Sequence, residues 1–251
     1  MAMGDGFELS GVVHLVRPLH LRAANLHELA EGVSVAPPTS LFYHAVQCQL
    51  RAPAGDDLPL DDFSAWVNGV VQDREVAERL SFAIQSAGGP AESLRRAVLG
   101  TIGALSETTR RARAAPAGGE FQFLAVDSVA IPTGEVATSA AELMEQLAGA
   151  EDSVWFHHLI ERPWFEPGAP GPVRWLEELG ETKLARWLSE AARSGRPIET
   201  VRQRVLTRWR RREIGRRVAA DARQTEGERA AAGREAVAGL VRRLKQGEPS
   251  S

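Results

Sequence analysis

The feature that most constrains this chain is repetition within it. From Phe121 the sequence reads FQFLAVDSVAIPTGEVATSAAELMEQLAGAEDSVWFHH, and from Phe7 it reads FELSGVVHLVRPLHLRAANLHELAEGVSVAPPTSLFYHA. Phe7 falls on Phe121, Leu9 on Phe123, Pro18 on Pro132, and Glu28-Leu29 on Glu142-Leu143. After a one-residue gap, the run from Ser40 to His44 falls on the run from Ser153 to His157. Further on, Trp66 matches Trp175, Leu80-Ser81 matches Leu188-Ser189, and Glu92 to Arg95 matches Glu199 to Arg202. The pattern reads as a tandem internal duplication of a helical unit of roughly 100 residues. It divides the chain into a first unit over 1–105, a linker over 106–119, a second unit over 120–210 and a basic, amphipathic helical tail over 211–251.

A chain of 251 residues is long enough for two small cores or one shared core. With 43% hydrophobic and 25% charged residues it has the make-up of a soluble globular protein. The net charge of −3 excludes a protein that is basic throughout. It hides a contrast, since aspartates collect at 56, 57, 61 and 62 while arginines collect after Arg193. Cys48 is the single cysteine, which rules out an intrachain disulfide and a cysteine-based zinc site within one chain. The opening MAMGDGFELSG lacks the charge and apolar run of a secretory signal, and no apolar stretch approaches the ~20 residues of a membrane span. The expected location is cytoplasmic.

Alternation at Phe7 and Leu9, and at Phe121, Phe123 and Ala125, predicts a short strand in each unit, ending at Pro18 and at Pro132-Thr133-Gly134. Asn25 and Ser139 are placed to cap the helices that follow, the latter with Glu142 in a capping-box position. Ser40 and Ser153 are the expected caps of the next helices, with a buried strand as the competing reading of both aromatic runs. Asp61 or Asp62 caps a helix carrying Phe63, Trp66 and Val67. Leu94, Val98 and Ile102, matched by Val201, Val205 and Trp209, form the last helix of each unit. The expected fold class is therefore mainly α, an α+β arrangement with one short strand per unit.

Beyond Trp209, Arg212 and Arg216 fall on the side that carried apolar residues, so the helix is expected to leave the body there. Gln224 to Gly227 reads as a hinge, followed by a stripe of Val237, Leu240, Val241 and Leu244 at helical spacing. An amphipathic helix this short needs a partner surface to be stable.

Three constellations carry chemistry. His44 and His157 occupy matching places, and Cys48 and Glu161 follow each by four residues, one helical turn on. Such a quartet has the ligand types for a divalent metal; the competing reading is a packed core with a hydrogen-bonded imidazole and a buried thiol. The aspartates at 56, 57, 61 and 62 lack the calcium-loop spacing and read as loop solvation and helix capping. The segment 202–217 is rich in arginine, with Arg208, Arg211 and Arg212 the foremost contacts, and an exposed Trp209 would stack on a nucleic-acid base. A solvated helical face paired with glutamates is the competing reading. Phosphate-loop, dinucleotide, HExxH, GxSxG and CxxC motifs are all missing from the sequence.

The order of signals resembles a bacterial and archaeal domain family of unknown function: FxF, then PTG, then a helix with ELxxxL, then serine-aromatic-aromatic-histidine, then a tryptophan helix. Phe121, Phe123, Pro132 to Gly134, Glu142-Leu143, Ser153 to His157 and Trp175 carry it, as do Phe7, Pro18, Glu28-Leu29, Ser40 to His44 and Trp66. Leu19-His20 replaces Thr-Gly in the first copy, and Trp155 stands where Tyr or Phe is usual. The resemblance implies two tandem copies and an accessory role, in some members beside sugar-transferring enzymes. The function expected from sequence is a non-enzymatic adaptor without a cofactor. It would bind a protein partner through its body and through Arg208, Arg211, Arg212, Val237, Leu240, Val241 and Leu244. The alternatives are a nucleic-acid-associated protein using segment 202–217 and a metal-dependent enzyme built on His44 and His157.

Overall fold

The computed structural model describes residues 6–245 apart from Asp56, Leu58 and Pro59; the side chains of Leu240, Val241 and Leu244, among others on the last helix, lie outside the description. In chain order the elements are β1 (Phe7–Ala23), α1 (Leu26–Val35), α2 (Pro38–Ala45), α3 (Cys48–Arg51), α4 (Asp62–Trp66), α5 (Arg74–Ala87), α6 (Ala91–Gly103) and α7 (Glu107–Ala112). They are followed by β2 (Phe121–Ala137), α8 (Ala140–Gly149), α9 (Asp152–Phe156), α10 (Arg162–Phe165), α11 (Pro172–Glu178), α12 (Thr182–Ala192) and α13 (Ile198–Lys245). Two single π-helical turns interrupt this series, Val67–Val71 after α4 and His157–Glu161 after α9.

β1 and β2 pair antiparallel into one ribbon, with His14 facing Ser128 near its middle. The register holds from Ser10 opposite Pro132 to Pro18 opposite Leu124 and shifts at both ends. At one end residues 133–135 bulge opposite Leu9; at the other, residues 19–21 bulge opposite Phe123. Each proline stands where the ladder breaks, so its missing N–H costs no strand-to-strand bond. Gly134 takes the positive φ of 82° that the first bulge requires, and Thr133 Oγ1 donates to the Leu9 carbonyl at 2.9 Å in place of a ladder bond. The strands therefore run 17 residues each, not the short segments expected to stop at Pro18 and at Pro132-Thr133-Gly134.

The expected tandem pair of mainly helical units is overturned. The fold is α+β, residues up to Leu206 form one compact unit, and a tandem duplication is not shown. The packing gives the reason. The core of α1, α4, α5 and α6, built from Leu29, Phe63, Leu80, Val98 and Ile102, is closed by Phe121 and Phe123 of β2. Phe7 of β1 instead packs against Trp175 and His158, at 5.7 and 5.1 Å between ring centroids. Each strand thus begins in the core made by helices from the other half of the sequence, and neither half has a complete core alone. Phe123 is fully buried, a contribution of about 1.5–3 kcal/mol that a separate first unit would lack. The stretch 106–119 carries α7, capped by Ser106, and Ala115 N–H donates to the Ala24 carbonyl at 2.6 Å.

Local capping follows the sequence in part. Asn25 accepts from Glu28 N–H, Ser139 from Glu142 N–H and Asp61 from Ser64 N–H. Ser40 and Ser153 do not cap, because α2 and α9 begin earlier, behind Pro37 and Glu151. Both aromatic runs are helical, so the competing strand reading fails.

Thr207 onward forms a second compact unit by itself. It is the continuation of α13, which is helical through 224–227, so the expected hinge there is absent. No helix among the described residues is long and apolar enough to cross a membrane.

Candidate functional site

The ribbon's middle meets the π-helical turn 157–161. His14 lies two residues from buried Val12, on the same strand face, and reaches Glu161 with Nε2 at 2.8 Å from Oε1. Ser128, directly across the ribbon, donates its hydroxyl to the same oxygen, and His157 Nδ1 lies 3.2 Å from Oε2. The π-turn matters here. Its ring closes from Arg162 N–H to the His157 carbonyl, and the widened turn brings 157, 158 and 161 all toward the strands. The Glu161 side chain is only 3% exposed. Burial alone would raise its pKa, but hydrogen bonds from His14, His157 and Ser128 outweigh that and hold it down at about 2. An open cleft of about 580 Å³ lies beside this cluster, with Thr39, Asp127 and Phe165 on its walls.

This arrangement secures a charge; it does not activate a nucleophile. Ser128 donates its hydrogen bond to a carboxylate, not to an imidazole, and a carboxylate held near 2 is too weak a base to take the proton. The cluster ties both strands to the π-turn through one anion.

Two other histidines act on the ribbon's backbone. Ser10 N–H donates to His158 Nε2 at 2.9 Å, and Leu124 N–H donates to His44 Nε2 at 2.9 Å. Ser10 and Leu124 stand opposite Pro132 and Pro18, so their N–H groups turn to imidazoles and not to the facing strand. His44 Nδ1 in turn lies 2.9 Å from Asp62 Oδ2, which fixes its proton on Nδ1. Burial pulls His158 down to about 3, helped by neighbouring His157 and Arg162. Burial also lowers His44, against the opposing pull of Asp62. Both therefore stay neutral acceptors.

The quartet read from sequence is not assembled into one site. His157 and Glu161 are bonded to each other, whereas His44 is bonded to Asp62 and the Leu124 backbone. Cys48 Sγ is 3.5 Å from the Ala45 carbonyl, and burial pushes its thiol up to about 12. Among the described residues no group of three His, Cys, Asp or Glu side chains is placed to hold a metal ion. Of the aspartate cluster, Asp61 caps α4, Asp62 bonds His44 and Arg51, and Asp56 lies outside the described residues. The sequence singles out neither His14 nor Ser128, and it sets His158 aside because Ala45 is its counterpart in the first copy. His14 leaves a trace as a polar side chain on the face that Val12 buries.

Along α13, Arg202 pairs with Asp152 at 3.3 Å and donates to the Ala148 carbonyl. Trp209 is 9% exposed and carries the Arg212 guanidinium 5.6 Å above its ring, which removes it as an exposed stacking platform. Arg208 and Arg211 are exposed, as are Ile214 (62%), Val218 (62%) and Val237 (63%). Leu240, Val241 and Leu244 lie on the same helix, with side chains outside the description.

An α+β body with a bulged two-stranded ribbon, clamped by buried histidines and a buried glutamate, defines the class. The chain belongs to DUF5752, a family of unknown function whose model matches residues 4–209. It is similar to the solved structure of OrfY from Thermoproteus tenax, with 25% identity and a TM-score of 0.66, over 82% of this chain and 97% of that one. No curated protein matches.

Proposed function

We propose that this is a non-enzymatic accessory protein that binds a protein partner through α13 beyond Leu206. The observation that carries the reading is the exposure of Ile214, Val218 and Val237 on a unit that is a single helix. A helix by itself has no second surface on which to bury such apolar residues, here the pair Ile214/Val218 and, on another face, Val237, until a partner supplies one. Charge defines the partner's chemistry. Residues 207–245 hold eleven arginines and Lys245 against five acidic side chains, so the complementary surface is acidic around an apolar groove. The hydrogen-bonded state of Glu161 and Ser128 supports a structural role for the body's polar cluster.

The test is capture from native lysate by the full chain and by a variant carrying Ile214→Asp, Val218→Asp and Val237→Asp. A protein recovered by the first and lost by the second supports the reading. Recovery of nuclease-sensitive material that washes off steeply with salt would instead assign the arginines to nucleic acid. Equal capture of one protein by both chains would refute the role of the helix.

A further inference from the structure

The middle of the ribbon has two unlike faces. His14 and Ser128, directly opposed, turn one of them to Glu161 and the body. Side chains alternate along a strand, so the intervening residues project from the other face: Gly11 opposite Ile131, Val13 opposite Val129, Leu15 opposite Asp127 and Arg17 opposite Ala125. Four of these eight are large and apolar, and none of the four is covered. Val13 is 48% exposed, Leu15 61%, Val129 50% and Ile131 49%. They adjoin one another, since Val13 and Val129 are cross-strand partners and Leu15 and Ile131 stand two residues from them along each strand. Scattered exposed aliphatics need no explanation, but an adjoining set on one sheet face is what a second sheet buries in a sandwich.

The charges on this face point to what covers it. Arg17 and Asp127 are the only charged side chains among the eight, and they meet diagonally across the ribbon, Nε 2.9 Å from Oδ2. The face therefore has no net charge and selects neither an acidic nor a basic partner, but it is complementary to itself. We propose that two copies of the chain stack these faces about a twofold axis running along the ribbon, about 10 Å apart and with strands within about 30° of each other. β1 then lies over the partner's β2. Val13 meets the partner's Val129, which puts four valines at the centre. Arg17 stands one diagonal step from the partner's Asp127, the relation it has to its own, so the four charges alternate in sign at one end of the apolar stripe. An axis across the strands would instead set that charged end on the partner's Ile131 and lose the match. Faces of this size bury less than the roughly 1,200 Å² of a standard interface, so the dimer is reversible, not obligate. The proposal draws on no residue of α13.

The test is sedimentation velocity on the full chain from about 1 to 300 µM, a range that covers weak specific contacts. The expected result is a shift from monomer to dimer with rising concentration and no larger species, because a contact between identical faces closes at two copies. Val129→Lys sets an ammonium at the centre of the stack and is expected to weaken the dimer at least about tenfold. Arg17→Asp should weaken it by about as much, and adding Asp127→Arg should return it to within about threefold of wild type, since the reversed pair restores the alternation. Circular dichroism checks the fold of each variant; should Val129→Lys lose it, Leu15→Lys, at the most exposed of the four positions, takes its place. A chain that stays monomeric throughout, a dimer that the lysine leaves intact, or one that Ile214→Asp, Val218→Asp and Val237→Asp together dissolve overturns the assignment. So does a reversed pair that associates no better than Arg17→Asp alone.

Discussion

Replacing Glu161 by glutamine tests the central clamp most directly. The substitution keeps the shape and one carbonyl acceptor, but it removes the charge on which His14, His157 and Ser128 converge. A carboxyl that titrates ordinarily at 4.5 and sits at about 2 in the fold prefers its charged form there by on the order of 3 kcal/mol. The side chain is 3% exposed, so little of this is lost to solvent screening. The direction with pH follows from the depressed value. Glu161 contributes its full stability above about 4.5 and loses it as the pH falls toward about 2. Urea unfolding of both chains at a series of pH values, followed by circular dichroism, reads the difference and cancels the other carboxylates. At pH 7 the variant is expected to be less stable by on the order of 3 kcal/mol, and near pH 2 the two curves should converge. A gap that stays constant with pH would mean that Glu161 acts through packing, not charge. A gap below about 0.5 kcal/mol at pH 7 would mean that the three donors gain nothing from it.

Three further outcomes are expected. His158→Phe keeps the ring against Phe7 but leaves Ser10 N–H without its acceptor; a loss of about 1–3 kcal/mol and faster hydrogen exchange at the Ser10 amide should follow. Gly32→Ala would set a Cβ 2.4 Å from the Phe123 ring, which is itself fully buried, so thermal unfolding should show about 1–3 kcal/mol of destabilisation, relieved in part by Phe123→Leu. Ser139→Ala removes the cap that Glu142 N–H uses on α8, at a cost of about 1 kcal/mol in chemical denaturation, with no change at the ribbon's far end.

What could be read from the residues was local. The caps at Asn25, Ser139 and Asp61 depend on side chains within three residues of their targets, and all three formed. The strand starts at Phe7 and Phe121 were likewise visible in alternation. The strand ends were not. Whether proline stops a strand depends on what faces it, and Pro18 and Pro132 face positions whose N–H groups have left the ladder for an imidazole. The repeat misled for a related reason. Similar sequences predict similar local elements, but they are silent on which core each strand completes, and here Phe121 and Phe123 complete one that precedes them in the chain. His44 was paired with His157 by alignment, yet His158 makes the bond that corresponds to the one from His44. A one-residue change of register inside a π-turn cannot be seen in a string of letters.

A two-stranded ribbon is all edge. Each outer rim offers hydrogen-bonding groups to any passing extended chain, and such rims are where proteins polymerise strand upon strand. At Ser10 and Leu124 the place is already taken, by imidazoles that stay uncharged because they are buried. At those two positions the histidines do what a neighbouring strand does in a larger sheet: they take up an outward N–H. The arrangement also has a chemical limit: in acid strong enough to protonate His158 the imidazole can no longer accept, and the Ser10 N–H loses its partner.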